Sequence, residues 1–399
     1  MSQTDTQEPQ QSKPKPAPSL SQIFVAFLRL GATAFGGPAM VAYIREMAVD
    51  RKGWLDARTF DDGVALCQAV PGATAMQTAA YVGLRVRGVA GAAAGFVGFG
   101  LPAFGLMLVL SMAYARAHNF PVVVSAFGGS QAIVVAIIAN AAVSFGRTTL
   151  KYWRHVSITA LAVALFGWGI NPLLVVVLAA LSGFWLLRHQ LSVEPAAPIP
   201  APLPYTTKSS IWMLCAATAL LAALHHINRQ LYELAMMMIR IDLFAFGGGF
   251  ASLPLLFNEV VSVRQWLAGP TLLDGIALGQ VTPGPIVITA TFVGYLLHGT
   301  IGAGVATLGV FLPSFLIVVA AAPHFDRLRG SPVFARFIGG ALCSFPGLLL
   351  VVTGHFAQSV RWDLPRLLLA AATFVALRLG ANLFWVVVIG AGLSLLFCR

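Results

Sequence analysis

A stretch reading FLRLGATAFGGPA at residues 27–39 returns as MIRIDLFAFGGGF at residues 238–250. The offset of 211 positions carries Arg29 onto Arg240, Phe35 onto Phe246, Gly36 onto Gly247 and Gly37 onto Gly248. It also carries Gly83 onto Gly294, Gly88 onto Gly299, Pro102 onto Pro313, Phe104 onto Phe315, and Gly128-Gly129 onto Gly339-Gly340. One unit is written twice, so whatever one half folds into, the other must fold into as well. The chain is also strongly apolar: 58% hydrophobic, 10% charged, with a mean hydropathy of +0.82. A soluble domain carries about 25% charged residues. Apolar runs at 101–115, 121–145 and 302–322 are near the length that crosses a hydrocarbon core of about 30 Å. The expected fold is an all-α polytopic membrane protein of two homologous units of about six spans each, about 12–13 transmembrane segments in all, some of them broken. No short alternating segments of the β-barrel kind occur. Duplicated membrane units point to transport, because transporter sites are commonly built between two related halves.

The net charge of +11 comes from 25 Lys and Arg against 14 Asp and Glu. The basic residues sit mostly in short loops, where they control topology; they form no nucleic-acid face. Cys67, Cys215, Cys343 and Cys398 make no paired spacing, and they read as small apolar residues within spans. His225-His226 reads as interfacial, since no further ligands accompany it. No Walker loop, dinucleotide fingerprint or nucleophile–base pattern is present, so neither an enzyme, a cofactor nor ATP-driven transport is expected.

Residues 1–18 are polar and proline-rich and read as a disordered cytoplasmic tail. Ser19-x-x-Gln22 fits a capping box that opens the first helix. The first repeat covers 19–189, with spans expected at 23–44, 63–84, 89–115, 121–145, 156–167 and 172–187, and a charged loop at 45–62. Residues 190–230 form a linker with Pro195, Pro198, Pro200, Pro202 and Pro204, followed by an unmatched helix at 211–224. The second repeat covers 231–399. One additional span reverses the second unit. The loop charges agree: Arg85 and Arg87 lie in a loop whose counterpart at 296–299 has no Lys or Arg, whereas the loop near Arg116 corresponds to one bearing Arg327, Arg329 and Arg336. By the positive-inside rule the repeats are inverted, with a cytoplasmic N-terminus and the C-terminus on the other face.

Each half carries two elements that break helices. The first is Phe35-Gly36-Gly37-Pro38, matched by Phe246-Gly247-Gly248-Gly249. The second is Gln68-x-x-Pro71-Gly72, matched at an offset of 212 by Gln280-x-x-Pro283-Gly284-Pro285. Paired glycines and prolines within a span favour a discontinuous helix, tolerated at membrane depth only where protein or a watery cavity covers the bare backbone. A half-helix N-terminus there offers free N–H groups and a positive dipole end to an oxyanion. Four breaks are expected to meet at one central site, with Arg29 or Arg240 balancing the anion's charge. Asp242, which Gly31 replaces in the first half, is the candidate coupling carboxylate. Glu46 and Glu259 read as solvated loop charges, and Gly91-x-x-x-Gly95 as a packing feature.

With these motifs the chain resembles the chromate ion transporter family in its long two-domain form. The resemblance rests on the Phe-Gly-Gly elements, the Gln-x-x-Pro-Gly elements and Pro102 with their second-half copies, and it covers both halves. It implies chromate efflux across a bacterial inner membrane, driven by an ion or potential gradient and conferring chromate resistance, with sulfate as the isosteric competitor. The implied surroundings are the lipid bilayer and no nucleic acid, and the oligomeric state stays open between a monomer and a homodimer. Two departures, Pro38 against Gly249 and Ala73 against Pro285, leave the half-sites non-equivalent. The rival readings are a transporter of sulfate or another anion, or an amino-acid-type exporter. Thr282-Pro283-Gly284-Pro285 is similar to the Pro-Gly-Pro of lysine exporters, which are about half as long and lack the Phe-Gly-Gly repeat.

Overall fold

The computed structural model describes residues 18–35, 39–117, 121–188, 207–324 and 331–397. The N-terminal tail and the proline-rich linker therefore lie almost wholly outside the described residues. Among those described there is helix and no strand.

Helix α1 (Leu20–Thr33) begins at the expected capping box: Ser19 Oγ accepts from the Gln22 amide and the Gln22 side chain accepts from the Ser19 amide. It buries Ile23, Phe27 and Gly31 on one stripe. It ends at Thr33, because Ala34 turns extended. Helix α2 (Ala39–Arg45) resumes after the break and runs into a π-helical turn at Glu46–Arg51. Helix α3 (Ala57–Ala69) follows, capped by Asp56. The expected loop at 45–62 is thus largely helical. The expected span at 63–84 is two helices separated at Val70–Ala73, the break expected at Pro71-Gly72.

Helix α4 (Thr74–Ala117) reverses on itself at Arg87 (φ −141°, ψ 24°) and Gly88 (φ 63°, ψ −155°). Gly83 lies against the Gly91 backbone and Gly95 against Ala79 O, contacts that only a hairpin makes. Gly91 and Gly95 are therefore packing glycines, as expected. In the second half α12 (Thr289–Ala321) reverses at His298 (φ −140°, ψ 26°) and Gly299 (φ 62°, ψ −151°). The two turns agree within 4° in every angle, 211 residues apart.

Helices α5 (Pro121–Thr149), α6 (Trp153–Gly167) and α7 (Pro172–Leu186) complete the first unit, and α8 (Thr207–Ile227) is the unmatched helix. The second unit runs α9 (Arg229–Leu243), a short 3₁₀ turn, α10 (Ser252–Phe257), a π-helical turn, α11 (Gly269–Val281), α12, α13 (Pro332–Ser359), α14 (Leu364–Arg378) and α15 (Leu383–Phe397). Among the described residues four helical stretches are long and apolar enough to cross a membrane: Thr74–Ala117, Phe127–Thr149, Ile286–His324 and Pro332–Ser359. Helices α1, α3, α9 and α11 are 13 to 15 residues long, about 20 Å each and short of a full crossing. Several expected spans are therefore half-helices joined at breaks.

The two units interlock. Helix α5 packs on α14 and α15, while its counterpart α13 packs on α6 and α7. Gly129 N donates to Ser394 Oγ at 3.1 Å, and the equivalent pair, Gly340 and Gly183, is in backbone contact. Ala92 and Phe96, early in the second leg of α4, share an apolar cluster with Phe315, Val318 and Val319, late in the second leg of α12. These equivalent legs cross antiparallel, so the pseudo-twofold axis is perpendicular to them. That is the inverted arrangement expected from the loop charges.

Candidate functional site

The four breaks meet. Gly72 N donates to Ala245 O at 3.0 Å, joining the second break of the first unit to the first break of the second. Gly284 N donates to Ala34 O at 2.9 Å, the same bond with the units exchanged. Gly72 (φ +119°) and Gly284 (φ +105°) hold left-handed conformations that L side chains avoid. Each also has a neighbour where a Cβ would sit: the Ser314 hydroxyl at Gly72 and the Ala103 methyl at Gly284.

Gly247 and Gly248 both take φ 95°. Among the described residues their amides have no hydrogen-bond partner. A Cβ on Gly248 would lie 3.5 Å from Thr74 Oγ1, and Thr74 opens the first leg of α4. A helix N-terminus with a hydroxyl in its first turn thus lies beside a glycine loop with two spare N–H donors. This set of neutral donors suits an oxyanion. Gly249 packs on Ile286 and Val287 in the second break of its own unit. Phe246 is half-buried, and Phe35 lies 4.6 Å from the Phe384 ring of α15. Gly36, Gly37 and Pro38 lie outside the described residues.

The second-break elements divide. Gln280 and Pro283 are buried, and Gln280 Nε2 finds no partner among the described residues. Gln68 is exposed on its helix, away from such burial. The buried glutamine of the first unit is Gln77, whose Nε2 donates to Pro71 O at 2.6 Å while Oε1 is left without a partner. Pro285 precedes a 3₁₀ turn at Ile286–Ile288 that leads into α12.

Asp242 is 1% exposed. Its carboxylate accepts from Ser314 N at 2.7 Å and from Ser314 Oγ at 2.8 and 2.9 Å. Ser314 Oγ in turn accepts from Ala73 N at 3.0 Å. The carboxylate thus caps the amide next to Pro313, where a proline disrupts the helix ladder, and ties α12 to the first unit's second break. Gly31 and Ala103 occupy these positions in the first unit, so the network exists once.

Neither arginine bonds to the described residues of the junction. Arg240 is in the last turn of α9, where a cation suits the helix dipole, and it is exposed. Arg29 is exposed on the polar face of α1 and lines an open cleft of about 1510 Å³ that runs from Pro18 to Thr33, one residue short of the break. Arg51, Lys52 and Arg87 also line it, against one acid, Glu46. Arg51 pairs with Glu46 at 2.6 Å, and Arg87 Nε donates to Pro18 O at 2.8 Å. Arg29 has no such partner among the described residues. Glu46 is the exposed acid expected, but Glu259 is 7% exposed and pairs with Arg264 at 3.3 Å, because it lies on the buried start of its π-helical turn, between Asn258 and Val260. His225 and His226 are exposed, as is Cys215, while Cys67 and Cys343 are buried. No metal-binding cluster occurs among the described residues.

Thr74, Gln77 and Ser314 escaped the sequence reading. Thr74 closes the run Pro71-Gly72-Ala73-Thr74, an ordinary helix-opening signal. Ser314 follows a repeated proline but has Ala103 as its counterpart, so the repeat itself conceals it.

A family model described as chromate transporter matches residues 21–184 and again 232–395, and both ends of the match are displaced by the 211 positions of the internal repeat. An uncharacterised transporter of Methanocaldococcus jannaschii is 39% identical over 95% of this chain and 94% of its own length. The chromate transport protein of Cupriavidus metallidurans is 31% identical over 91% of this chain and 88% of its own, and that of Pseudomonas aeruginosa is 31% identical over 90% and 86%. No solved structure matches. With both repeats matched and full-length relatives in hand, this multi-pass membrane protein is a transporter and not an enzyme, and it belongs to the chromate transporter family.

Proposed function

We propose that this chain is a secondary transporter that exports chromate from a bacterial cytoplasm across the inner membrane, by alternating access between its inverted repeats. The observation that carries the reading is the junction itself: the Gly247 and Gly248 amides, without a hydrogen-bond partner among the described residues, beside the helix N-terminus at Thr74, tied across the pseudo-twofold by the Gly72–Ala245 and Gly284–Ala34 bonds. Chromate is a tetrahedral dianion, and neutral N–H and O–H donors hold such a group without fixing a countercharge in the membrane. Arg29 acts before the junction, as a cation along the cleft with no acidic partner among the described residues, and draws anions toward the first break. The repeats move as units, because the hairpins at Arg87-Gly88 and His298-Gly299 are closely packed by small residues while the breaks between them are not regular helix. The N-terminus is cytoplasmic in this reading.

The test is uptake of labelled chromate into everted membrane vesicles, with sulfate, molybdate and amino acids as competitors. Accumulation inhibited by the two oxyanions and untouched by lysine supports the assignment. Inhibition by lysine with no uptake of chromate would establish the amino-acid exporter instead. Stronger inhibition by sulfate than by chromate itself would move the substrate to sulfate.

A further inference from the structure

Asp274 on α11 is 7% exposed and plays no part in the junction. Its Oδ2 accepts from Tyr114 Oη at 2.8 Å and its Oδ1 from Gln131 Nε2 at 2.8 Å. Tyr114 lies in the second leg of α4 and Gln131 on α5, so both donors come from the first repeat and the carboxylate from the second. The Tyr114 ring is packed between Phe127, at 5.2 Å, and Phe292, at 5.0 Å, and Phe292 covers the adjacent Gly275. Among the described residues no cation pairs with Asp274. The titratable groups on the helices packed around α11 include Tyr295 and His298 on α12, His355 on α13 and Arg147 in the last turn of α5; none of these bonds to Asp274, and only Tyr114 does. The described part of α15 carries no titratable side chain.

A carboxylate buried in a membrane protein without a cation is costly and marks an ion or proton pathway by default. A metal ion would need several oxygen ligands, whereas here both carboxylate oxygens face N–H and O–H donors. A proton fits. A phenol can switch from donor to acceptor, and a rotated carboxamide can do the same, so the pocket accommodates either state. Asp242 differs in kind: both its donors come from one residue of its own repeat, Ser314.

We propose that Asp274 is the proton-carrying group of this transporter: it takes up and releases a proton as motion between the repeats makes and breaks its bonds to Tyr114 and Gln131. The proposal rests on the transport reading above. The carboxylate takes the proton from hydronium on one face, leaving water, and hands it to a water on the other face to form hydronium, so that one O–H bond breaks and one forms at each transfer.

The experiment uses the purified full chain in proteoliposomes, with labelled chromate as probe and two readouts: accumulation driven by an imposed pH gradient, and exchange against internal chromate with no gradient. In Asp274→Asn, gradient-driven accumulation is expected to fall by at least about tenfold, within the usual range for a lost coupling, while exchange persists. Asp274→Glu is expected to retain accumulation with a displaced pH profile. Asp50→Asn, at an exposed carboxylate on the π-helical turn of the first unit, serves as the comparison and is expected to keep its pH dependence. Undiminished pH-driven accumulation in Asp274→Asn overturns the proposal, as does wild-type accumulation that follows a sodium gradient and ignores pH. So does loss of exchange in Asp274→Asn together with an unshifted profile in Asp274→Glu. If the wild-type protein exchanges no chromate at all, the substrate assignment fails instead, and the same arms run with sulfate still judge Asp274.

Discussion

Replacing Ser314 with alanine should uncover how tightly the junction is held. The hydroxyl makes a bond to the Asp242 carboxylate and receives one from Ala73 N. A hydrogen bond to a charged group contributes about 1.5–3 kcal/mol, and an orphaned buried N–H costs about 1–3 kcal/mol. Ser314→Ala should therefore destabilise by about 2.5–6 kcal/mol. Asp242→Ala removes the same bond from its other end and also frees Ser314 N. The doubly substituted protein loses the shared bond once, so the cycle should show a coupling of about 1.5–3 kcal/mol. That exceeds the roughly 0.6 kcal/mol typical of neutral bonds between membrane helices. Reversible unfolding of all four proteins in mixed detergent micelles measures it. Additivity within about 0.5 kcal/mol would refute an ionised Asp242 bonded to Ser314. The double variant should still fold, because the first repeat is built with Gly31 and Ala103 at these places.

Three further outcomes are open to measurement. Gly248→Ala places a side chain at φ 95° with ordinary space beside Thr74, so strain of about 1–3 kcal/mol is the main cost; chromate transport should drop while detergent-extracted protein stays folded, and an active variant would remove the glycine loop from the site. Arg29→Gln should raise the half-saturating chromate concentration with little change in maximal rate, and the wild-type advantage should shrink as salt is added; a fall in maximal rate alone would put Arg29 elsewhere in the cycle. Asp56 accepts from the Thr59 amide, which holds its carboxyl below the usual range. A lowered folded-state pKa stabilises above the unfolded value and is lost as pH falls through the folded one, so Asp56→Ala should cost about 1 kcal/mol at neutral pH and progressively less on acidification.

The sequence made the architecture legible because duplication left two readings of each element. Arg87-Gly88 and His298-Gly299 differ in residue type at the first position yet share one turn, and the glycine at the second is what the offset had already matched. The breaks were legible for the same reason, since Gly72 and Gly284 must hold a backbone that other residues avoid. The number of full crossings was less legible, because an apolar run interrupted by four irregular residues has the same hydropathy as a continuous span, so hydropathy does not show that α1, α3, α9 and α11 are each too short to cross. The arginines sat close to the breaks in sequence, but the helical phase that buries Ile23, Phe27 and Gly31 turns Arg29 outward, and the same phase turns Arg240. Asp274, Tyr114 and Gln131 are separated by up to 160 positions, and nothing local links them. The packing of both α4 and α5 against the second unit brings them together.

The crossed pair of bonds, Gly72 to Ala245 and Gly284 to Ala34, has a consequence for the halves taken separately. Each unit supplies a donor from its second break and an acceptor from its first, but spends both on the other unit. A single half, expressed alone, would carry an open donor and an open acceptor at membrane depth, where no water can satisfy them. It could be completed only by another half inserted upside down beside it. The duplication therefore does more than double a domain: it places the two required orientations on one chain and guarantees that they arrive in equal number.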